Sequence, residues 1–152
     1  MSRNRRGFSL IELLIVIAII LIIVTVALPK LNNATRFAHE AAAIKAIQTI
    51  QTMQVQYNSQ YGRFATSLTE MGPPASGAAS MASADLIDSS LAAGEKSGYK
   101  FAMTGNQMGY QISAVPVAYG NTGSRTFFSD QSMAIRENDG PEPATASSKE
   151  MK

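Results

Sequence analysis

An uninterrupted apolar run near the N-terminus constrains this chain more than any other feature. It extends from Phe8 to Leu28, 21 residues, and Glu12 is its only charged residue. A helix of that length is about 31 Å long, which matches the roughly 30 Å of a bilayer's hydrocarbon core. A carboxylate inside such a segment costs about 2.5–3.5 kcal/mol on insertion scales. We therefore predict a membrane-spanning helix in which Glu12 has a function beyond anchoring.

The positive charge of the chain lies ahead of this run. The formal net charge is +2, and Arg3, Arg5 and Arg6 account for it, because without them 10 basic residues face 11 acidic ones. By the positive-inside rule, the N-terminus is expected in the cytoplasm and the remainder outside. No stripe of basic and aromatic residues follows, so nucleic-acid binding has no direct support.

Ordinary targeting signals explain the run incompletely. A secretory signal peptide has a shorter apolar core and a small-residue cleavage site, whereas here the run is long and ends in the poor match Ala27-Leu28-Pro29-Lys30. A plain signal anchor fits the length of the run. It gives no reason for a carboxylate at Glu12.

The segment Gly7-Phe8-Ser9-Leu10-Ile11-Glu12-Leu13 resembles the class III signal of type IV pilins and type II secretion pseudopilins. The resemblance implies that a prepilin peptidase removes residues 1–7 as a cytoplasmic leader, cutting between Gly7 and Phe8, and methylates the new N-terminus at Phe8. It also implies that Glu12 pairs with the amine of a neighbouring subunit during assembly. A paired buried charge is far less unfavourable than a lone one, so such a carboxylate favours one register of assembly.

The same resemblance implies a structural role. The expected function is a subunit of a type IV pilus or pilus-like filament that polymerises through its N-terminal helix. The alternatives are a type II secretion pseudopilin and a membrane-anchored module that does not polymerise. The implied partners are copies of the chain and related pilins, the prepilin peptidase, and an inner-membrane assembly platform with its ATPase. The implied location is the bacterial inner membrane, single-pass, and then a periplasmic or cell-surface filament.

The sequence offers no catalytic constellation. The chain has no cysteine and one histidine, His39, and it shows no phosphate-binding glycine loop and no zinc-ligand spacing. We therefore expect that the protein is not an enzyme. We also expect no cofactor. Pseudopilins often hold calcium near the C-terminal end, so calcium is the alternative, and Asp130, Glu137, Asp139 and Glu142 are the candidate oxygen ligands.

The fold expected from these patterns is α+β, with a long N-terminal helix packed against a small antiparallel meander, as in pilins. Pro29 should kink the helix, although it could instead end it. We expect the membrane and assembly helix at 8–28, an amphipathic continuation at 29–61, a variable loop at 62–97 with a short helix at 82–91, a sheet at 98–137 and a flexible tail at 138–152. The strand candidates are 98–104, 110–119 and 125–135, because apolar residues alternate there and glycine-containing turns separate them.

Overall fold

The computed structural model describes residues 7–151 and has the predicted α+β architecture. The helices are α1 (Leu10–Tyr61), α2 (Leu68–Met71) and α3 (Ser89–Ala92). The strands are β1 (Glu95–Lys96), β2 (Tyr99–Gly105), β3 (Tyr110–Pro116), β4 (Arg125–Asp130), β5 (Ile135–Asp139) and β6 (Lys149–Glu150). All neighbouring strands are antiparallel and follow chain order from β1 to β6. The expectation of a helix with an antiparallel meander is confirmed.

The chain divides into two compact units, Met1–Ala34 and Thr35–Lys152. In the first unit, α1 begins at Leu10 rather than at Phe8, and every described residue is exposed. Pro29 lies inside α1, so the alternative in which Pro29 ends the helix is wrong. The predicted kink at Pro29 stays a prediction.

In the second unit, α1 covers one face of the sheet. The seven-residue register of β2 on β3 places Tyr99, Phe101 and Met103 on the buried face, as the alternation of the sequence predicts. The helix contributes the small and branched residues that pack against them. The shared core comprises Ala43, Ala46, Ile47, Ile50, Tyr57, Tyr99, Phe101, Ile112, Ala114 and Phe127.

Three buried polar residues on α1 connect the helix to loops and strand ends. The Gln54 side chain accepts a hydrogen bond from the Ala65 N–H (2.9 Å) and donates to the Ala65 carbonyl (3.1 Å). The Gln51 amide donates to Ser129 Oγ at 2.6 Å, and Glu40 binds the start of β4. Because each buried group has a partner, its desolvation is compensated. Because the partners lie in loops and at strand ends, these bonds also fix where those segments dock on the helix.

The segment expected as a loop at 62–97 contains secondary structure. Gly62 follows α1 with φ +72°, a left-handed conformation that favours glycine. The helix predicted at 82–91 is shorter in the structure, where only α3 is helical. The residues predicted to form the first half of that helix are not helical. Instead, the N–H groups of Ala84 and Leu86 donate to the carbonyls of Glu70 and Met71. Asp85 has φ +54°, which a right-handed helix does not accommodate.

The C-terminal boundary of the sheet also differs from the expectation. The predicted strand 125–135 is two strands, β4 and the start of β5, and the sheet extends beyond residue 137 through β5 and β6. Since four consecutive residues of β4, Thr126 to Ser129, are buried, the strand must be covered on both faces. Part of the segment 138–152 provides the second cover: Thr126 donates to the Glu142 carbonyl at 2.7 Å, and Ala144 is 4% exposed.

The packing of Ala144 can be tested, because a docked C-terminal segment and a free tail respond differently to a substitution there. We expect Ala144→Asp to lower the free energy of unfolding by about 1–3 kcal/mol, because it buries an uncompensated polar group. Ala146→Asp is the matched control, since Ala146 is exposed two residues away. Chemical denaturation of the full chain in micelles measures the difference, and equal stability of the two variants would show that the segment is not packed.

Candidate functional site at the N-terminus

The predicted processing site lies just ahead of α1. Residues 7–9 are outside any helix or strand, and Phe8 is 86% exposed. A Cβ added at Gly7 would meet no atom within 4 Å, so no described neighbour requires a glycine there. Residues 1–6 of the predicted leader, including Arg3, Arg5 and Arg6, lie outside the described residues.

Glu12 has a partner within its own chain. The backbone N–H of Ser9 donates to Glu12 Oε2 at 2.8 Å, and the Leu13 N–H donates to the Ser9 carbonyl at 3.2 Å. Ser9 precedes the helix, and Glu12 is three residues later, which is the spacing of a capping box. A carboxylate near a helix N-terminus also interacts favourably with the helix dipole. One role of Glu12 is therefore to cap the N-terminus of α1. The Ser-x-x-Glu pattern in the sequence could have revealed this role.

The helix that follows presents an apolar surface on all sides. Its most hydrophobic 18-residue window has a mean hydropathy of 3.3, and none of it is buried. Its large apolar side chains up to Leu28 range from 39% exposed at Val24 to 78% at Leu10. By length and composition α1 can span a membrane, and an apolar surface of this extent requires a cover from outside the chain.

The structure does not bring the candidate calcium ligands together. Asp130 ends β4 and Asp139 ends β5 at opposite ends of the same strand pair, because Arg125 pairs with Asp139 and Ser129 with Ile135. Asp130 is five residues along β4 from Arg125, the partner of Asp139, which separates the two ends by about 17 Å. Among the described residues, no three His, Cys, Asp or Glu side chains are grouped closely enough to hold a metal ion.

Glu137, the third candidate ligand, belongs to an ion-pair network. Arg125 Nη1 lies 2.7 Å from Glu137 Oε2, and Lys149 Nζ lies 3.5 Å from Glu137 Oε1. On its other side, Arg125 Nη2 lies 2.8 Å from Glu40 Oε2, and the Glu40 side chain is 1% exposed. Ser124 donates to the other Glu40 oxygen through its N–H at 2.8 Å and its hydroxyl at 2.9 Å. Through Arg125, Glu40 therefore attaches β4 to α1, and Glu137 connects β4 with β5.

The environment of Glu40 lowers its pKa. Burial alone would raise the pKa, but the hydrogen bonds from Ser124 and the hydrogen-bonded ion pair with Arg125 outweigh it and hold the pKa below the ordinary 4.5. A carboxyl group whose pKa is depressed on folding stabilises the fold above its unfolded pKa. That contribution is lost as the pH falls through the folded value.

The comparison with known families bears on the first part of the chain. Residues 2–28 match the family described as Prokaryotic N-terminal methylation motif. The chain carries a class III signal. This signal is the one found in type IV pilins and pseudopilins, which confirms the resemblance of the N-terminus. The match ends before the second unit, and the comparisons with curated proteins and with solved structures found no match for the chain.

The methylation motif and the apolar helix together fit a membrane-anchored, pilin-like protein. The motif points to a structural family rather than to an enzyme. Gly7, Phe8 and Glu12 lie within the matched segment, and Pro29 is the first residue after that segment.

Removing the Ser9 N–H tests the capping box. We expect Ser9→Pro to loosen the first turn of α1 by about 1 kcal/mol, so that the Leu13 amide exchanges about fivefold faster with solvent deuterium. Ser9→Ala keeps the donor and is the control. Hydrogen exchange of the full chain in micelles measures both, and equal exchange in the two variants would contradict the cap.

Acid sensitivity tests the Glu40 ion pair. We expect the wild type to lose stability as the pH falls below about 4.5. At pH 7, Glu40→Gln should be less stable than the wild type by roughly 2–4 kcal/mol. We expect the lower end of this range because Arg125 is 28% exposed. The stability of this variant should also depend less on pH. Glu95→Gln, at an exposed glutamate, should behave as the wild type. Parallel pH profiles of all three proteins would contradict the assignment.

Proposed function

We propose that this protein is the structural subunit of a helical filament, assembled through its N-terminal helix. The observation that carries the proposal is a methylation motif that leads into an apolar stretch of α1, up to Leu28, in which no described residue is buried. A bilayer covers such a surface before assembly, and the helices of neighbouring copies cover it in a filament. The charge pattern favours an N-terminus in the cytoplasm, with the second unit on the outer side of the inner membrane.

The geometry around Gly7 supports proteolytic processing. A peptidase needs an accessible, non-helical segment, and residues 7–9 provide one. Since no described neighbour requires a glycine at position 7, we attribute it to recognition by a prepilin peptidase. Cleavage after Gly7 leaves Phe8 as the N-terminus to be methylated. The Ser9 N–H that caps the helix stays on the mature chain.

The carboxylate of Glu12 retains capacity for a second partner. The Ser9 N–H uses one of its oxygens, whereas an ionised carboxylate has about four acceptor positions. In the proposed filament, the α-amine of a neighbouring copy occupies one of the remaining positions. Glu12 then neutralises a buried cation in the filament as well as starting its own helix, which makes a filament lacking this carboxylate strongly unfavourable.

Within this class we propose a type IV pilus subunit, with a type II secretion pseudopilin as the alternative. Two observations favour the pilus. The loop at 75–82, which consists of small residues apart from Met81, is exposed throughout, as suits a surface-facing variable region. The acidic residues near the C-terminus form no cluster of three within residues 7–151, whereas pseudopilins often hold calcium there. The assembly platform and its ATPase are the remaining partners.

Replacing the carboxylate tests the assembly role. We expect Glu12→Val to insert and to be cleaved normally but to yield at least about tenfold fewer filaments, because one lost buried ion pair is worth several kcal/mol. Ile11→Val is the matched control in the same turn. Electron microscopy and immunoblots of sheared filaments measure the yield. Wild-type filament numbers from Glu12→Val cells would contradict the role.

Mass spectrometry of the N-terminal peptide tests processing and location together. N-methylated Phe8 in filaments sheared from cells is the expected result for a pilus. The same peptide confined to the inner membrane would favour the pseudopilin. An intact leader in both fractions would overturn the filament proposal and favour an anchored module that does not polymerise.

A further inference from the structure

A cleft lies at one end of the sheet, on the second unit and apart from the N-terminal site. Its volume is about 340 Å³, within the size range of small-molecule sites. The end of β2, the β2–β3 turn, the start of β3 and the residue after β4 form its walls. Its lining residues are Thr104, Gly105, Asn106, Met108, Gly109, Tyr110, Gln111 and Gln131.

The lining of the cleft is uncharged and rich in amides. None of its residues is Asp, Glu, Lys, Arg or His. Within residues 7–151, the side chains of Thr104, Gln111 and Gln131 are exposed and make no hydrogen bond to the protein. The Tyr110 hydroxyl is buried in the core and contributes no group to the cleft. Each primary amide offers two donors and a carbonyl acceptor. The lining of the cleft therefore has three polar side chains free to bind a ligand, and none of its residues is charged.

One of these amides is held by hydrogen bonds, and another lies against the β2–β3 turn. Asn106 Oδ1 accepts the N–H groups of Met108 (2.8 Å) and Gly109 (3.0 Å), which fixes the side chain and leaves its NH₂ group as a donor. The Gln131 amide lies against Gly109, where a Cβ would come 2.8 Å from Gln131 Cδ. A glycine at position 109 is thus what permits the amide to approach the turn. Thr104 and Gln111 stand opposite one another in the β2–β3 register.

We propose that this cleft binds a neutral saccharide. Sugar hydroxyls both donate and accept hydrogen bonds, as the amides and the threonine hydroxyl do. The exposed thioether of Met108, which is 90% exposed, supplies an apolar surface for the C–H face of a sugar ring. A phosphate or carboxylate ligand would find no cation in the lining. The nearest carboxylate in the register, that of Asp130 opposite Gln111, lies outside the lining and accepts the Ser132 N–H. The proposal is independent of filament assembly.

Nuclear magnetic resonance of the isotope-labelled full chain tests the proposal, in micelles of a detergent without a sugar head group. Maltose, lactose and N,N′-diacetylchitobiose are titrated separately into the millimolar range, with glucuronic acid and glucosamine as charged comparators. The expected result is that at least one neutral disaccharide shifts the side-chain amide signals of Asn106, Gln111 or Gln131. The charged sugars should leave those signals in place.

Variants make the test specific to the cleft. Gln111→Ala should weaken the binding about 5- to 10-fold through the loss of a hydrogen bond, and Gly109→Ala should weaken it by displacing Gln131. Gln56→Ala, at an exposed glutamine of α1, should bind as the wild type, and well-dispersed spectra confirm that each variant folds. No shift with any neutral disaccharide, equal shifts with the charged sugars, or undiminished binding by both cleft variants would overturn the proposal.

Discussion

The apolar surface between Phe8 and Leu28 is the constraint on which the rest of the protein depends. None of the described residues in that stretch is buried, and water is an unfavourable environment for so large an apolar area. The first unit is therefore stable only where lipid or another protein covers it. The cap at Ser9 and Glu12 lies inside this stretch and pairs the Ser9 N–H where the helix begins, a group that a bilayer would leave unsatisfied.

In the second unit, the main constraint is that a small sheet must be held on one helix. The core supplies the contact, but most of its side chains are apolar and would tolerate small shifts of the helix along the sheet. Glu40, Gln51 and Gln54 remove that freedom, because each buried polar group is satisfied in one arrangement only. These residues occupy the helix face that also carries Ile47 and Ile50.

Sequence reasoning predicted the helical and strand pattern well, and predicted the polar contacts poorly. Periodicity located α1 and the alternation of β2, because one face of each element is buried and leaves its period in the sequence. Within the predicted amphipathic continuation, the large apolar side chain of Phe37 is nevertheless 61% exposed. Sequence reasoning treated the acidic residues near the C-terminus as candidate ligands, whereas Glu137 pairs with Arg125. Such ion pairs join residues that are far apart in the chain, so no local sequence pattern predicts them.

The sequence by itself determined the class III signal, the helix that follows it and the class of the fold. These depend on residues adjacent in the chain: a glycine before an aromatic residue, a carboxylate one turn later, and apolar periodicity. Only the tertiary structure decided the docking of the C-terminal segment on β4, the partners of Glu40 and the meeting of Gln111 with Gln131 at one cleft. Those outcomes depend on strand register and on which faces remain to be covered, and both arise only when distant segments pack together.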